Sequence, residues 1–430
     1  MMKQDKAKQL CAQSCPVDKR CGACQLLALP YADQLEKKHA QMVELFADVS
    51  EKDLVAVEPL LGMGDPFYYR NKVISPYAPG KRIVAHSDGA RGKRGNTRGK
   101  QAPRREILCG MYERGTHRII PTDECLLENR VAKRIILAIR DLMPRHRIEP
   151  YNEDMGKGFL RHAVVRVGHQ SGEVLVTLVT NGEAFPGAKS FCRDLVKRVP
   201  EITTIVQNVN TRNTNVILGD GKERTLYGPG FILDRLCGLS FRISSHSFYQ
   251  VNATQTEVLY RSAIDLANLQ GSERILDAYC GTGTIGLVAA RALQEKSGKS
   301  DTVGVIGVDK VAEAIVDARN NAKHNGITNA TFVTADAGEF MVELAERGEH
   351  IDVLFMDPPR AGASEEFLRA TAKLHPNCIV YISCNPKTQV RDIAILQKHG
   401  YRVSAIQPVD MFPHTDHVEC ITVLESHAKS

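Results

Sequence analysis

From Arg274 onward, short apolar runs alternate with segments whose apolar residues recur at helical spacing. The runs Arg274–Asp277, Val303–Val308, Thr331–Ala335, Ile351–Met356, Cys378–Ser383, Arg402–Gln407 and Glu419–Leu424 read as strands. Helical stretches such as Val311–His324 and Lys387–His399 separate the first six. This alternation predicts an α/β architecture, a parallel sheet covered on both faces. Pro408–Val418 joins the last two strands without a helix, so an antiparallel hairpin is expected at the end. Upstream, from Asp53 to Phe241, the pattern becomes short strands with turns, including His162–Gly168 and Glu173–Thr180, plus a helix near Ala188–Val199. Leu35, Met42, Leu45 and Phe46 recur at helical spacing and predict a packing helix. The expected segments are therefore 1–52, 53–245 and 246–430.

A chain of 430 residues is too long for one ordinary core. Hydrophobic content of 43% and charged content of 25% describe a globular protein. No run approaches the length of a membrane span, and the N-terminus has no apolar signal core. A cytoplasmic monomer with no membrane partner is expected. Twelve cysteines in that compartment argue for metal binding or catalysis rather than disulfides. The net charge of +6 is concentrated. Nine basic residues and one acid, Asp88, lie between Lys81 and Arg105. This run is expected to be flexible and to suit a phosphate backbone without reading sequence.

The candidate chemistry falls at predicted strand ends. The first strand of the C-terminal sheet runs into Asp277-Ala278-Tyr279-Cys280-Gly281-Thr282-Gly283-Thr284-Ile285-Gly286. Its G-x-G-x-x-G spacing is weak alone, but it lets a ligand approach the backbone before a helix begins. Asp309 follows the second strand, where a carboxylate would accept bonds from two ribose hydroxyls. Asp336 follows the third, where an adenine amino group would lie. Asp357-Pro358-Pro359-Arg360 follows the fourth, Cys384 the fifth, and Glu419 opens the last strand. If those ends lie on one side of one sheet, a nucleophile and a base share a cleft. A dinucleotide would use the same first loop; the Asp-Pro-Pro turn and the thiol favour S-adenosylmethionine. Taken singly, each residue has a plainer reading: a cysteine after an apolar run is usually a small buried hydrophobe.

Several stretches resemble the RNA uracil-C5 methyltransferase family. They are Ser247-Phe248-Tyr249-Gln250-Val251-Asn252, Asp277–Gly283, Asp357–Arg360, Ser383-Cys384-Asn385-Pro386 with Thr388, and Asp410-Met411-Phe412-Pro413-His414-Thr415 leading to Glu419. The resemblance runs from Cys15 to Leu424. It implies a class I, Rossmann-like S-adenosylmethionine methyltransferase domain, preceded by an iron–sulfur segment and a central α+β RNA-binding domain. It implies that Cys384 is the nucleophile and Glu419 the base. Gln250, Tyr279, Gly281, Thr284, Asp309, Asp336 and Asp357 would contact the methyl donor. Phe248 would stack on an extruded uracil, and Arg70 and Arg360 would meet the RNA. Asp309 stands where Glu is more usual, and Thr284 where some members carry Asn.

The expected reaction follows from the poor nucleophilicity of uracil C5. A thiolate adding to C6 makes an enolate whose C5 attacks the methyl donor, and a base then removes the C5 proton. The thiol needs either a lowered pKa or proton removal coupled to addition. Cys15, Cys21, Cys24 and the distant Cys125 form a candidate four-thiolate set, suited to a [4Fe-4S] cluster or zinc. Spacing alone does not separate these; the resemblance favours the cluster. It also favours 23S ribosomal RNA as partner over transfer RNA. A noncatalytic RNA-binding factor on the same fold and a DNA cytosine-C5 enzyme are the competing readings. The latter typically carries its cysteine after the fourth strand, whereas here it follows the fifth.

Overall fold

The computed structural model describes residues 14–82, 105–221, 223–297 and 304–427. The basic run expected over 81–105 falls mostly on residues outside this set. The chain enters through a one-turn helix, Asp18–Cys21, then the helices Tyr31–Leu45 and Ala47–Asp53. Seven strands follow: β1 (Lys72–Arg82), β2 (Arg105–Tyr112), β3 (Ile119–Pro121), β4 (Leu160–Val167), β5 (Val174–Thr180), β6 (Ile202–Val209) and β7 (Arg224–Tyr227). They form one sheet in the order β3-β2-β1-β4-β5-β6-β7. Every residue of β4 and β5 is buried, so these central strands are covered on both faces. Helices Arg130–Leu142 and Ala188–Arg198 share a core with them, through Ile135, Ile139, Phe191 and Leu195. Asn129 caps the first of these helices by accepting from the amides of Val131 and Ala132.

Hairpin β8 (Ile232–Leu236) and β9 (Leu239–Ile243) leads into the C-terminal half. The Ser240 and Arg242 amides donate to Asn325 and Asn321, at the end of helix Ala312–His324. The remaining strands are β10 (Ile275–Ala278), β11 (Val305–Asp309), β12 (Ala330–Thr334), β13 (Val353–Met356), β14 (Cys378–Ser383), β15 (Tyr401–Val409) and β16 (Glu419–Ser426). Their order is β12-β11-β10-β13-β14-β16-β15. The first five are parallel, and β16 runs antiparallel to both β14 and β15. All seven expected strands are present, with ends shifted by a few residues. The order reverses on either side of β10, which puts a ligand crevice at its carboxyl end. No helix among the described residues is long and apolar enough to cross a membrane.

The N-terminal helix is built into this half. Met42, Phe46 and Val49 join the core that contains Ile379, Tyr381, Ile406 and Leu424. Val57 and Leu61 bridge in parallel to Ile406 and Val409, extending the sheet past β15. Lys38 Nζ donates to Asp410 Oδ1 at 2.7 Å, and neither side chain has measurable exposure. Tyr31 Oη donates to Asp410 Oδ2 at 2.8 Å, so this carboxylate is satisfied at both oxygens. The helix thereby fastens the loop between β15 and β16.

Candidate active site

The loop after β10 turns sharply because three of its residues take positive φ: Tyr279 (64°), Gly281 (53°) and Gly283 (78°). A Cβ on Gly283 would come within 2.9 Å of the Phe332 ring. A Cβ on Gly286 would come within 2.6 Å of Asp277 Oδ2, which accepts the Gly286 amide at 3.0 Å. A Cβ on Gly281 would meet nothing within 4 Å, so the loop presents bare backbone to open space. Asp309 crosses to it: Oδ2 accepts the Gly281 amide at 3.0 Å and Oδ1 the Val311 amide at 2.8 Å. Each oxygen keeps a second lone pair for a ligand hydroxyl. Thr284 Oγ1 lies 3.0 Å from Tyr260 Oη, and the Tyr279 ring packs against Phe367 with centroids 5.0 Å apart. These features fit an adenosyl donor. Asp336 also caps helix Ala337–Glu346, its Oδ1 accepting the Gly338 amide at 2.9 Å, and both capping amides go to that one oxygen.

Asp357, Cys384 and Glu419 stand at the ends of three adjacent strands. β13 and β14 pair with Met356 beside Tyr381, and β14 and β16 pair with Ser383 beside Cys420. Neighbouring strands lie about 4.8 Å apart, so the three side chains emerge within about two spacings of one another. Gln389, on the helix after Cys384, binds β14 to β16. Its Nε2 lies 3.0 Å from Tyr381 O and 3.1 Å from Cys420 O. Asn385 Nδ2 donates to Arg360 O at 2.9 Å and holds the Asp-Pro-Pro-Arg turn against the thiol loop.

The electrostatics follow from that crowding. Burial pushes the carboxyl of Asp357 above the ordinary carboxylate range; burial and then the charge of Asp357 push up that of Glu419, while Arg360 pulls Glu419 back. Groups this close titrate together, so the pair loses its protons around and above neutrality, not at the ordinary carboxylate value. Burial, then the charges of Glu419 and Asp357, push the Cys384 thiol up to about 11; Arg360 opposes this. This environment favours the neutral thiol at rest and so proton removal coupled to addition. Cys384 opens into a cleft of about 820 Å³. One wall is helix Tyr31–Leu45, through Gln41, Met42, Glu44 and Leu45, a contribution the sequence pattern did not reveal. At the cleft, Arg360 Nη2 sits 3.3 Å from His417 Nδ1; His417 is a further site residue, flagged only by its place before Glu419.

Phe248 is 66% exposed, an apolar ring with no packing partner to cover it. Its neighbour Gln250 is fixed by its carbonyl, which accepts from Asn71 Nδ2 at 3.0 Å. Arg70 is placed differently from the expected RNA-facing position. It lines a small enclosed cavity with Cys15, Cys21, Cys24 and Cys125, and its Nε is buried without a hydrogen-bond partner. The reason is local: the Arg70 amide and carbonyl pair with Leu127 and Asn129, which draws the residue into the cysteine wall. The four cysteines are free thiols that converge on this cavity. Among the described residues, however, no three His, Cys, Asp or Glu side chains are arranged to hold a metal ion. The donors fit a thiolate site in kind, but the coordination geometry is not formed.

The family model described as tRNA (Uracil-5-)-methyltransferase matches residues 232–427. Over 411 residues the chain is 39% identical to an uncharacterised RNA methyltransferase of Halalkalibacterium halodurans, covering 96% of this chain and 82% of that protein. It is 39% identical over 424 residues to one from Clostridium acetobutylicum, covering 98% and 84%. Among solved structures, the Pyrococcus abyssi tRNA (uracil-54, C5)-methyltransferase in complex with S-adenosyl-L-homocysteine aligns with a TM-score of 0.71 at 28% identity. That alignment covers 96% of this chain and 87% of that one.

Proposed function

Because this chain belongs to the RNA uracil-5-methyltransferase family and is an S-adenosylmethionine-dependent RNA methyltransferase, we propose that it methylates C5 of a specific uridine through a covalent bond from Cys384 to C6. The observation that carries this reading is the placement of Asp357, Cys384 and Glu419 on three adjacent strand ends. When bound, S-adenosylmethionine supplies an electrophilic methyl group. The Tyr279–Thr284 backbone and Asp309 would hold it, with Gln250 and Asp357 beside it.

The steps assigned to the protein are few. Cys384 Sγ adds to C6 as its proton leaves, because burial keeps the free thiol protonated. An ionised carboxylate of the Asp357–Glu419 pair is the nearby acceptor, and it gives that proton up to solvent before the next step. After C5 has taken the methyl group, Glu419 removes the C5 proton. The C5–C6 double bond re-forms and the sulfur is expelled. A carboxyl raised toward neutrality matches the demands on a general base better than an ordinary one. Phe248, exposed beside this segment, is positioned to stack on an unpaired base.

Large-subunit ribosomal RNA is the proposed target, on the resemblance of the cysteine array. The similarity to a tRNA methyltransferase supports transfer RNA as the second reading. Incubation with labelled donor and unmodified total RNA, followed by mapping of 5-methyluridine, decides between them. Cys384→Ala should abolish transfer while retaining donor binding. Glu419→Gln should accumulate a methylated covalent adduct. Undiminished activity in Cys384→Ala would refute the mechanism. A [4Fe-4S] cluster on Cys15, Cys21, Cys24 and Cys125 belongs to the same proposal, supported by their convergence on one cavity beside Arg70. Anaerobic purification with iron and sulfide analysis tests it; zinc in their place would replace the cluster assignment.

A further inference from the structure

A second cavity, of about 500 Å³, opens on the central sheet and shares no lining residue with the Cys384 cleft. Its polar groups are left incomplete. Tyr112 Oη lies 3.2 Å from Glu153 Oε1 and 3.2 Å from His162 Nε2. The hydroxyl has one proton, which goes to Glu153 because a carboxylate only accepts. Burial pushes His162 down to about 4, so the ring is neutral and has a single N–H. That N–H must be on Nε2, donating to the tyrosine oxygen, which leaves Nδ1 as a bare acceptor. Nδ1 is buried without a hydrogen-bond partner; so is Glu153 Oε2, with His117 Nδ1 facing it at 3.8 Å, beyond hydrogen-bond reach.

Arg161 supplies the complementary donor. Its guanidinium lies over the Tyr151 ring at 4.5 Å, and Nη1 donates to the carbonyls of Asn210 and Arg212. Its Nε is buried with no partner. Arg161 and His162 are 3% and 5% exposed, and both line the cavity. Folded proteins rarely leave three such groups unpaired in one place unless something else completes them. Two acceptors and one donor near the Tyr112 ring complement a nucleobase that carries an amino group. Its hydrogens meet Glu153 and His162, and its face stacks on Tyr112.

Strand β4 ties the cavity to the segment that carries Phe248. β4 carries His162 at one end and Arg166 at the other, about 13 Å apart by strand rise. Arg166 Nη2 donates to Ser245 O and Ser247 O and so holds the segment that presents Phe248. From these observations we infer a second RNA subsite: an unpaired adenine, cytosine or guanine nucleotide near the target uridine seats against Tyr112 and Glu153, in the cavity that Tyr151 also lines. The inference rests on the uridine-methylation reading and adds the feature of RNA that the central sheet recognises.

The test uses the full chain. Glu153→Gln exchanges one acceptor for a donor while preserving shape. It should raise KM for RNA about tenfold, the cost of one mispaired base edge, with kcat, donor binding and melting temperature unchanged. Wild-type methylation should be inhibited by short unpaired oligoadenylate or oligocytidylate more strongly than by oligouridylate, and Glu153→Gln should lose that preference. Adenosine monophosphate at equal base concentration should inhibit weakly. Ultraviolet crosslinking of wild-type enzyme to RNA should mark peptides containing Tyr112 or Tyr151; this readout does not depend on any variant folding. An unchanged KM and preference in Glu153→Gln, or a crosslink map without those peptides, would overturn the subsite. Inhibition by the mononucleotide equal to the oligomer would assign the cavity to a free metabolite and overturn it too. Absence of 5-methyluridine with wild-type enzyme would instead refute the reading on which the inference rests.

Discussion

Lys38→Met should destabilise the protein far more than an ordinary lysine substitution. Lys38 and Asp410 are fully enclosed, 2.7 Å apart, and Lys38 Nζ also donates to Phe412 O at 3.2 Å. Removing the cation leaves a buried carboxylate with only Tyr31 Oη among side-chain donors. Breaking one side of such a pair costs about 3–5 kcal/mol, because the remaining charge is neither solvated nor paired. That cost should appear as a fall of several degrees in melting temperature. The double variant Lys38→Met with Asp410→Leu removes both charges and should recover much of the loss, giving a coupling energy of about 2 kcal/mol or more. Denaturant unfolding of the four-member cycle measures this directly. A functional effect should accompany it. Asp410 opens the loop that ends at His417 and Glu419, so kcat should fall with little change in donor affinity. A single-variant loss below about 1 kcal/mol, the range of a surface pair, or strict additivity in the cycle, would refute the reasoning.

Three further outcomes follow from the site. Asp357 and Glu419 are raised above the ordinary carboxylate range, so kcat should climb as pH passes through neutrality, not level off near the usual carboxylate value. The sign for stability is opposite. Between the unfolded and the raised folded values the native state holds more protons than the unfolded chain, so stability falls with rising pH. The stability advantage of Glu419→Gln over wild type should thus grow from about pH 5 to about pH 8, and a constant difference would contradict the burial of this charge. Gly283→Ala places a Cβ at positive φ and 2.9 Å from Phe332. It should weaken S-adenosylmethionine binding at least about tenfold by calorimetry, since the loop must shift to relieve strain on the order of 1–3 kcal/mol.

Much of the C-terminal half was legible in the sequence because parallel strands buried on both faces read as continuous apolar runs, and crossover helices separate them. The places of Asp309, Asp357, Cys384 and Glu419 followed from the same rule, since they directly follow or open those runs. Asp336 shows the limit of position: a carboxylate at a strand end is also the residue that caps the next helix. Arg70 shows another: a basic residue in a motif looked RNA-facing, but backbone pairing with residues 127–129 drew it into the cysteine cavity.

What the sequence determined by itself was local: the alternation of elements, the glycine-dependent turn, and the residue types at each strand end. Periodicity and turn chemistry act over a few residues, so they can be read one segment at a time. Tertiary structure decided which ends meet. The crossing that puts β16 between β14 and β15 brings Glu419 beside Cys384. The return of residues 31–61 across the chain seals Lys38 onto Asp410 and walls the cleft. It also decided protonation. The cysteine that a sequence marks as a nucleophile is pushed toward the thiol first by burial and then by two carboxyls whose nearness no spacing records.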